Sequence, residues 1–149
     1  MDGQVDSAVG TPKDLPPAAL DLASKLFDYA REGKTPELRQ YLEAGIPLNI
    51  RNGKGDTFLM LAAYHGKVDT VRMLLEKGAD PDLLNDRGQS PLSGAIFKDY
   101  PEVVEALYRG NATISAGHPN AVDCARMFKK DNYLSLFGLS SSDSLQGLQ

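Results

Sequence analysis

The chain has 149 residues, with 16 Lys and Arg against 20 Asp and Glu, and therefore a formal net charge of -4. This length favours one domain whose core is large enough to fold without covalent cross-links. The mildly acidic balance argues against a general nucleic-acid or membrane binder of the strongly basic kind.

The amino end has no basic leader, and no apolar run approaches the roughly 18 residues that a membrane-spanning helix needs. Cys124 is the only cysteine, so no intramolecular disulfide can form and a reducing compartment fits best. We expect a buried packing thiol at this position rather than a reactive one. These features predict a cytoplasmic protein, with a nuclear location left open if the source is eukaryotic.

The two ends of the chain differ in composition from its middle. Residues 1–17 carry Gly, Ser, Thr and three prolines with few large apolar side chains, so we expect a flexible N-terminal arm. Residues 138–149 are likewise small and polar apart from scattered leucines, which predicts a flexible C-terminal tail. Residues 18–137 remain as the folded domain.

Matching residues recur along this domain at one constant spacing, which we call the step. Gly45, Gly78 and Asn111 are equally spaced, and each follows an apolar helical run. A helix often ends with a residue in the left-handed conformation, which Gly adopts without penalty and Asn tolerates next best. These three positions therefore predict three helix ends.

The same step relates the residues that begin the helices. Thr57 and Ser90 are separated by it, and their hydroxyl oxygens are suited to cap the first free N-H groups of a following helix. Pro91 stands where a first helical residue would. The other matched pairs are Asn52 with Asn85, Gly55 with Gly88, Leu59 with Leu92, and Ala62 with Ala95.

Each unit is thus predicted to contain a helix, a loop, a second helix and a turn, in that order. We divide the domain into an opening unit at 18–51, two full repeats at 52–84 and 85–117, and a shortened closing unit at 118–137. The closing unit fits if about four residues are dropped after Ala112, which pairs Cys124 with Ala95. Terminal units of a solenoid are expected to be atypical, because each has only one neighbour.

The segments 55–82 (GDTFLMLAAYHGKVDTVRMLLEKGADPD) and 86–96 (DRGQSPLSGAI) resemble the ankyrin repeat family. The resemblance covers about residues 18 to 137. It implies an all-α solenoid of about four helix-turn-helix units, with two full middle repeats, atypical terminal repeats and short turn fingers. The short helices would line a concave groove, and the longer helices would form the back.

The sequence departs from the family pattern in detail. Phe58 stands at a proline position, Met60 and Ser93 stand at the motif histidine, and Asp99 stands at the glycine matched by Gly66. We expect these changes to weaken local hydrogen bonding while leaving the apolar register intact.

The candidate catalytic and metal-binding motifs lack the residue spacing that those motifs require. Residues 33–35 (GKT) echo the end of a phosphate-binding loop, but Asp28 stands where that loop needs a glycine. His65 and His118 are the only histidines, and neither has a ligand at a metal-helix spacing. We therefore predict no enzyme activity, no cofactor and no metal, and keep a hydrolase or nucleotide binder as a minor alternative.

The predicted contact surface consists of the turn tips and the outward positions of the short helices. The resemblance implies contacts by Lys54, Asp56, Tyr64, His65, Arg87, Gln89, Phe97 and Lys98. The two aromatic residues suit binding hot spots, since they bury much area with few rotatable bonds. The other interpretation is that Tyr64 and Phe97 only shelter the neighbouring helix pair.

Charges are predicted to differ between the two faces. The groove side is assigned the cations Arg31, Lys54, Arg87, Lys98, Arg126, Lys129 and Lys130, against the acids Glu32, Asp56, Asp86 and Asp99. The back helices carry the acids Glu37, Glu43, Asp69, Glu76, Glu102 and Glu105. This predicts a protein partner that docks through an acidic segment.

The predicted function is noncatalytic protein binding by a chain that is monomeric when unbound, as adaptor, chaperone or inhibitor. The alternative is a permanent accessory subunit that stabilises an enzyme. Size exclusion would separate the two, because a fixed large species indicates the subunit.

Overall fold

The computed structural model describes residues 17–140, so the predicted arm up to residue 16 and the tail from residue 141 lie outside the described residues. Within this range the chain is helical, and its one strand-like feature is an isolated bridge between Gly117 and Asn120. The helices are α1 (Pro17–Glu32), α2 (Thr35–Glu43), α3 (Phe58–Tyr64), α4 (Val68–Glu76), α5 (Pro91–Lys98), α6 (Pro101–Arg109), α7 (Ala121–Met127) and α8 (Asp131–Leu136). No helix of the described range is long and apolar enough to cross a membrane.

The predicted helix caps are confirmed. Thr57 Oγ1 accepts a hydrogen bond from the Met60 N-H at 3.1 Å, and Ser90 Oγ accepts from the Ser93 N-H at 3.0 Å. Pro91 is the first residue of α5. A reciprocal hydrogen bond forms as well, because the Ser93 Oγ accepts from the Ser90 N-H at 3.1 Å. The expected loss of local hydrogen bonding at Ser93 is therefore wrong, since a reciprocal capping box forms there.

The predicted helix ends are confirmed as well. Gly45, Gly78 and Asn111 have φ values of +113°, +94° and +73° and follow α2, α4 and α6 closely. These left-handed residues turn the chain out of each back helix and into the next finger. The sequence pattern identified them because few residue types accept this conformation.

The closing unit is shortened by three residues, not by four. The side-chain caps of α3, α5 and α7 are Thr57, Ser90 and Asn120, and the second step between them is shorter than the first by that amount. This register pairs Cys124 with Gly94 rather than with Ala95. The Cys124 Sγ accordingly lies 3.5 Å from the carbonyl oxygen of Ser93, the residue before Gly94.

The helices stack in two rows around one continuous core. Helices α1, α3, α5 and α7 pack in that order as one row, and α2, α4 and α6 pack behind them as the other. The first row begins with the longest helix of the described range, so the expectation of short helices along the groove holds for α3, α5 and α7 but not for α1. Leucines at the shared faces are fully buried, namely Leu26, Leu38, Leu59, Leu74, Leu92 and Leu107. Each contributes roughly 1.5 to 3 kcal/mol. The core also includes Leu139, so packing reaches into the segment predicted as a tail.

Candidate functional site

A row of aromatic rings runs across the groove side of the short helices. The rings of Tyr64 and Phe97 are stacked with centroids 6.5 Å apart, and Phe97 meets Phe128 edge-on at 5.5 Å. Tyr64, Phe97 and Met127 occupy the same position in successive units when the helices are aligned on their caps. The repeat therefore accounts for Tyr64 and Phe97, whereas the ring of Phe128 stands at the position of Lys98.

Part of this row is open to solvent. Among residues 17–140, the exposed large hydrophobic side chains are Phe97 at 52%, Met127 at 63% and Phe128 at 41%. They lie at the ends of α5 and α7, where the rings of Phe97 and Phe128 are in contact and Met127 directly precedes Phe128 in the chain. These three residues are here named the apolar patch. Apolar surface gathered in one place in this way marks an interaction site more often than single exposed residues do.

Tyr64 is placed differently from Phe97. Its side chain is half-buried and packs over Gly94, where an added Cβ would lie 3.2 Å from the tyrosine ring. The Lys98 ammonium lies 5.2 Å from the ring centroid, within the range of a cation-π interaction. The sheltering interpretation thus fits Tyr64, whereas Phe97 keeps half of its surface free.

His65 lies near several charged side chains. Its pKa is lowered from its ordinary value, first by partial burial and then by the charges of Arg31, Lys67 and Lys98. The opposing effect of Asp56 is smaller. The neutral imidazole is therefore favoured at this position.

The finger tips differ in part from the prediction. Lys54 and Arg87 are exposed as expected. Asp56 is only 9% exposed, and its Oδ1 accepts a hydrogen bond from Asn85 Nδ2 at 2.9 Å. The same amide nitrogen donates to Gln89 Oε1 at 2.9 Å. The expectation of Asp56 at a free tip is wrong, because its carboxylate links two fingers.

Met127 and Phe128 are absent from the predicted contact residues. The predicted register of the closing unit is one residue out, and it places Arg126 in the groove. In the structure Arg126 stands at the position of buried Ile96, and its Nε and Nη2 are inaccessible and without a hydrogen-bond partner among the described residues. Aligning the cap Asn120 with Ser90 would have found the patch, because that alignment places Met127 on Phe97.

Comparison with known proteins identifies the repeat. A family model described as ankyrin repeats (3 copies) matches residues 26–123, which is more than half of the chain. The chain belongs to the ankyrin repeat family. Ankyrin repeats are generally protein-protein interaction modules.

The relatives of this ankyrin repeat protein differ widely in size. It is 49% identical over 65 residues to a putative ankyrin repeat protein of Pseudomonas aeruginosa, a match covering 40% of this chain and 38% of the relative. It is 34% identical over 105 residues to the ankyrin repeat and KH domain-containing protein mask-1 of Caenorhabditis elegans, covering 70% of this chain and 4% of the relative. The chain therefore spans less than half the length of each of these relatives.

Two titratable side chains of this ankyrin repeat protein, Cys124 and Asp99, have contacts within the fold. Burial raises the pKa of the Cys124 thiol to about 11, and the side chain is 3% exposed, which confirms the predicted packing role. Within residues 17–140 there is no group of three or more His, Cys, Asp or Glu side chains that could hold a metal ion. Asp99, which replaces the repeat glycine at φ +64°, accepts hydrogen bonds from the Tyr133 hydroxyl and the Lys130 ammonium.

Proposed function

We propose that this ankyrin repeat protein is a noncatalytic binding module that holds a partner protein against its groove, as adaptor, chaperone or inhibitor. The observation that carries this proposal is the apolar patch of Phe97, Met127 and Phe128. Exposing large apolar side chains together disfavours solubility, and a partner that covers them recovers roughly 25 cal/mol per Å² of apolar surface.

The contact residues of this proposal extend the predicted set. Lys54, His65, Arg87, Gln89, Phe97 and Lys98 remain contacts, since their side chains are wholly or partly exposed. Met127 and Phe128 are added at the closing unit. Tyr64 contributes its exposed edge, and Asp56 is removed because its carboxylate is bonded within the protein.

Rigid support suits these side chains to binding. α5 and α7 each bury one side against the core, with Ala95, Ile96, Ala121 and Val122 all at 0% exposure. The groove-facing side chains therefore extend from a fixed scaffold, which lowers the entropy lost on binding. Fixed aromatic side chains at the centre of a contact surface are the usual hot spots.

The test is affinity capture with the wild type and the Tyr64→Ala, Phe97→Ala double variant, followed by titration calorimetry with each captured protein after purification. Because Tyr64 packs over Gly94, the single variant Phe97→Ala is included to separate binding from folding. Arg72→Ala is the matched control, since the Arg72 side chain is 55% exposed on the back of the solenoid. We expect at least one protein to bind the wild type and the control but neither groove variant.

Hydrogen exchange locates the contact. A partner bound in the groove protects amides at the ends of α5 and α7 from exchange. Protection confined to the surfaces around Glu76 and Glu105 would place the partner on the back and contradict the proposal. Equal capture by all variants would contradict it as well.

A further inference from the structure

We propose that the closing end of the groove is a docking site for an acidic, amphipathic segment of the partner protein. In this arrangement bulky apolar side chains of the segment cover the apolar patch, and its carboxylates approach Lys98 and Lys129. This inference rests on the proposed function and specifies the chemistry of the partner.

The apolar half of the site is built by two repeats. Phe97 comes from the end of α5, and Met127 and Phe128 come from the end of α7 and the residue after it. The phenyl rings meet edge-on at 5.5 Å with an interplanar angle of 66°, so each restricts the other. A patch of two rings and one flexible thioether accepts bulky aliphatic or aromatic side chains without requiring a single shape.

The charged half of the site consists of two lysines that adjoin the patch residues in the chain. Lys98 directly follows Phe97, and Lys129 directly follows Phe128. Neither forms an ion pair with another of the residues 17–140. Both ammonium groups therefore keep their charge free for a ligand, apart from the contact of Lys98 with the Tyr64 ring.

Three cations on the back of the solenoid are paired with acids, whereas the exposed Arg39 of α2 forms no ion pair with another of the residues 17–140. Arg109 Nε lies 2.8 Å from a Glu105 carboxylate oxygen, Lys77 Nζ lies 3.2 Å from Glu43, and Arg72 lies 3.6 Å from Asp69. These pairs neutralise the basic side chains locally. An acidic segment is thus attracted to the groove end rather than to the back.

Asp99, the acid that follows Lys98 in the chain, does not cancel this charge. Its carboxylate is bonded to Lys130 at 2.9 Å and to the Tyr133 hydroxyl at 2.5 Å. Asp123 is exposed one helical turn before Met127, so its carboxylate opposes an acidic ligand and its removal is informative.

Fluorescence anisotropy with the full chain and short fluorescein-labelled peptides tests this inference. The probe alternates Glu with Leu and Phe, one control peptide has Lys in place of Glu, and a second has Ser in place of Leu and Phe. We expect the probe to bind at least about tenfold more tightly than either control, and its affinity to fall with added salt.

Substitutions then assign the two halves of the site. The Phe97→Ala, Phe128→Ala variant is expected to weaken probe binding by about tenfold or more. The Lys98→Gln, Lys129→Gln variant is expected to weaken it about fivefold and to flatten its salt dependence. Phe97→Leu keeps an apolar side chain and retains binding, and circular dichroism verifies that each variant is folded.

Two matched controls complete the design. Lys77→Gln removes a lysine from the back and leaves binding unchanged. Asp123→Asn removes the exposed acid next to the patch and leaves binding equal or tighter.

Each other outcome overturns the inference in an identifiable way. If the acidic and basic peptides bind equally, or if neither binds, the inference of an acidic segment is refuted. Groove-dependent capture of a partner would then still support the proposed function. A dimer in light scattering that is lost in the Phe97→Ala, Phe128→Ala variant makes a second copy of the chain the occupant. Loss of groove-dependent capture overturns the proposed function itself.

Discussion

The contact of Tyr133 with Asp99 gives a prediction whose magnitude follows from geometry. Tyr133 is 2% exposed, and its hydroxyl donates to Asp99 Oδ1 at 2.5 Å, while Lys130 donates to Oδ2 at 2.9 Å. Asp99 stands at the left-handed position that Gly66 fills one repeat earlier. The acid therefore does more than end α5, because it ties the third helix pair to the closing one.

Tyr133→Phe removes this hydrogen bond and leaves the ring in place. A hydrogen bond to a charged group contributes about 1.5 to 3 kcal/mol. The Asp99 side chain is 46% exposed, so solvent screens part of the interaction, and we expect a loss of about 1 to 2 kcal/mol at pH 7. This loss corresponds to a fall in Tm of about 3 to 8 °C.

The effect depends on pH with a defined sign. The hydrogen bond from Tyr133, and then Lys130, hold the pKa of Asp99 below its ordinary value of 3.8. A group whose pKa is lowered by folding stabilises the fold above its unfolded pKa, and this stabilisation is lost as the pH falls through the folded pKa. The difference between Tyr133→Phe and wild type is therefore expected to be constant from pH 7 to about 5 and to shrink below about pH 4.

Urea denaturation followed by circular dichroism measures the free energies of unfolding. Tyr108→Phe is the matched control, because the Tyr108 ring packs on Phe137 at 5.0 Å but its hydroxyl has no hydrogen-bond partner among the described residues. We expect this control to stay within about 0.5 kcal/mol of wild type. Equal losses in both variants, or a Tyr133→Phe deficit that persists unchanged at pH 3, would refute the reasoning.

Four further predictions follow from burial and capping. Leu107→Asp places an unpaired charge at a fully buried position and should abolish the helical circular dichroism signal, whereas Leu107→Met should keep it. Ser90→Ala breaks the buried capping box and should cost about 1 to 2 kcal/mol in urea denaturation; an unchanged midpoint would exclude a stabilising cap. Dilute peroxide should oxidise Met127, which is 63% exposed, well before Met60 at 2%, as read by peptide mass spectrometry. Cys124 should resist thiol reagents at neutral pH, because its pKa is raised to about 11; fast labelling of the folded protein would contradict its burial.

The features predicted from sequence are those that local chemistry decides. Asn111 and Gly78 end helices because of backbone sterics that neighbouring repeats do not change. Thr57 and Ser90 cap helices because a hydroxyl at that position reaches the third amide in any repeat. Such positions recur at a fixed step, so the repeat and its helices could be found without a structure.

The features that were missed depend on a second unit of the chain. Asp56 has the composition of a free turn tip, and only the position of Asn85 in the next finger shows that its carboxylate is engaged. Ser93 departs from the family motif, yet it rebuilds the cap with Ser90, a pairing that a residue-by-residue comparison with the motif does not reveal. Pairing between residues rather than single-residue propensity decided both outcomes.

The closing unit combines a shortened finger with exposed apolar side chains. Shortening its finger by three residues shifts α7 in register, so Met127 and Phe128 follow Phe97 along the groove. A terminal unit needs a polar outward face to stay soluble, and this one still keeps large apolar side chains in water. Leaving them exposed stabilises nothing in the isolated chain, whereas the proposed partner would cover them in a complex.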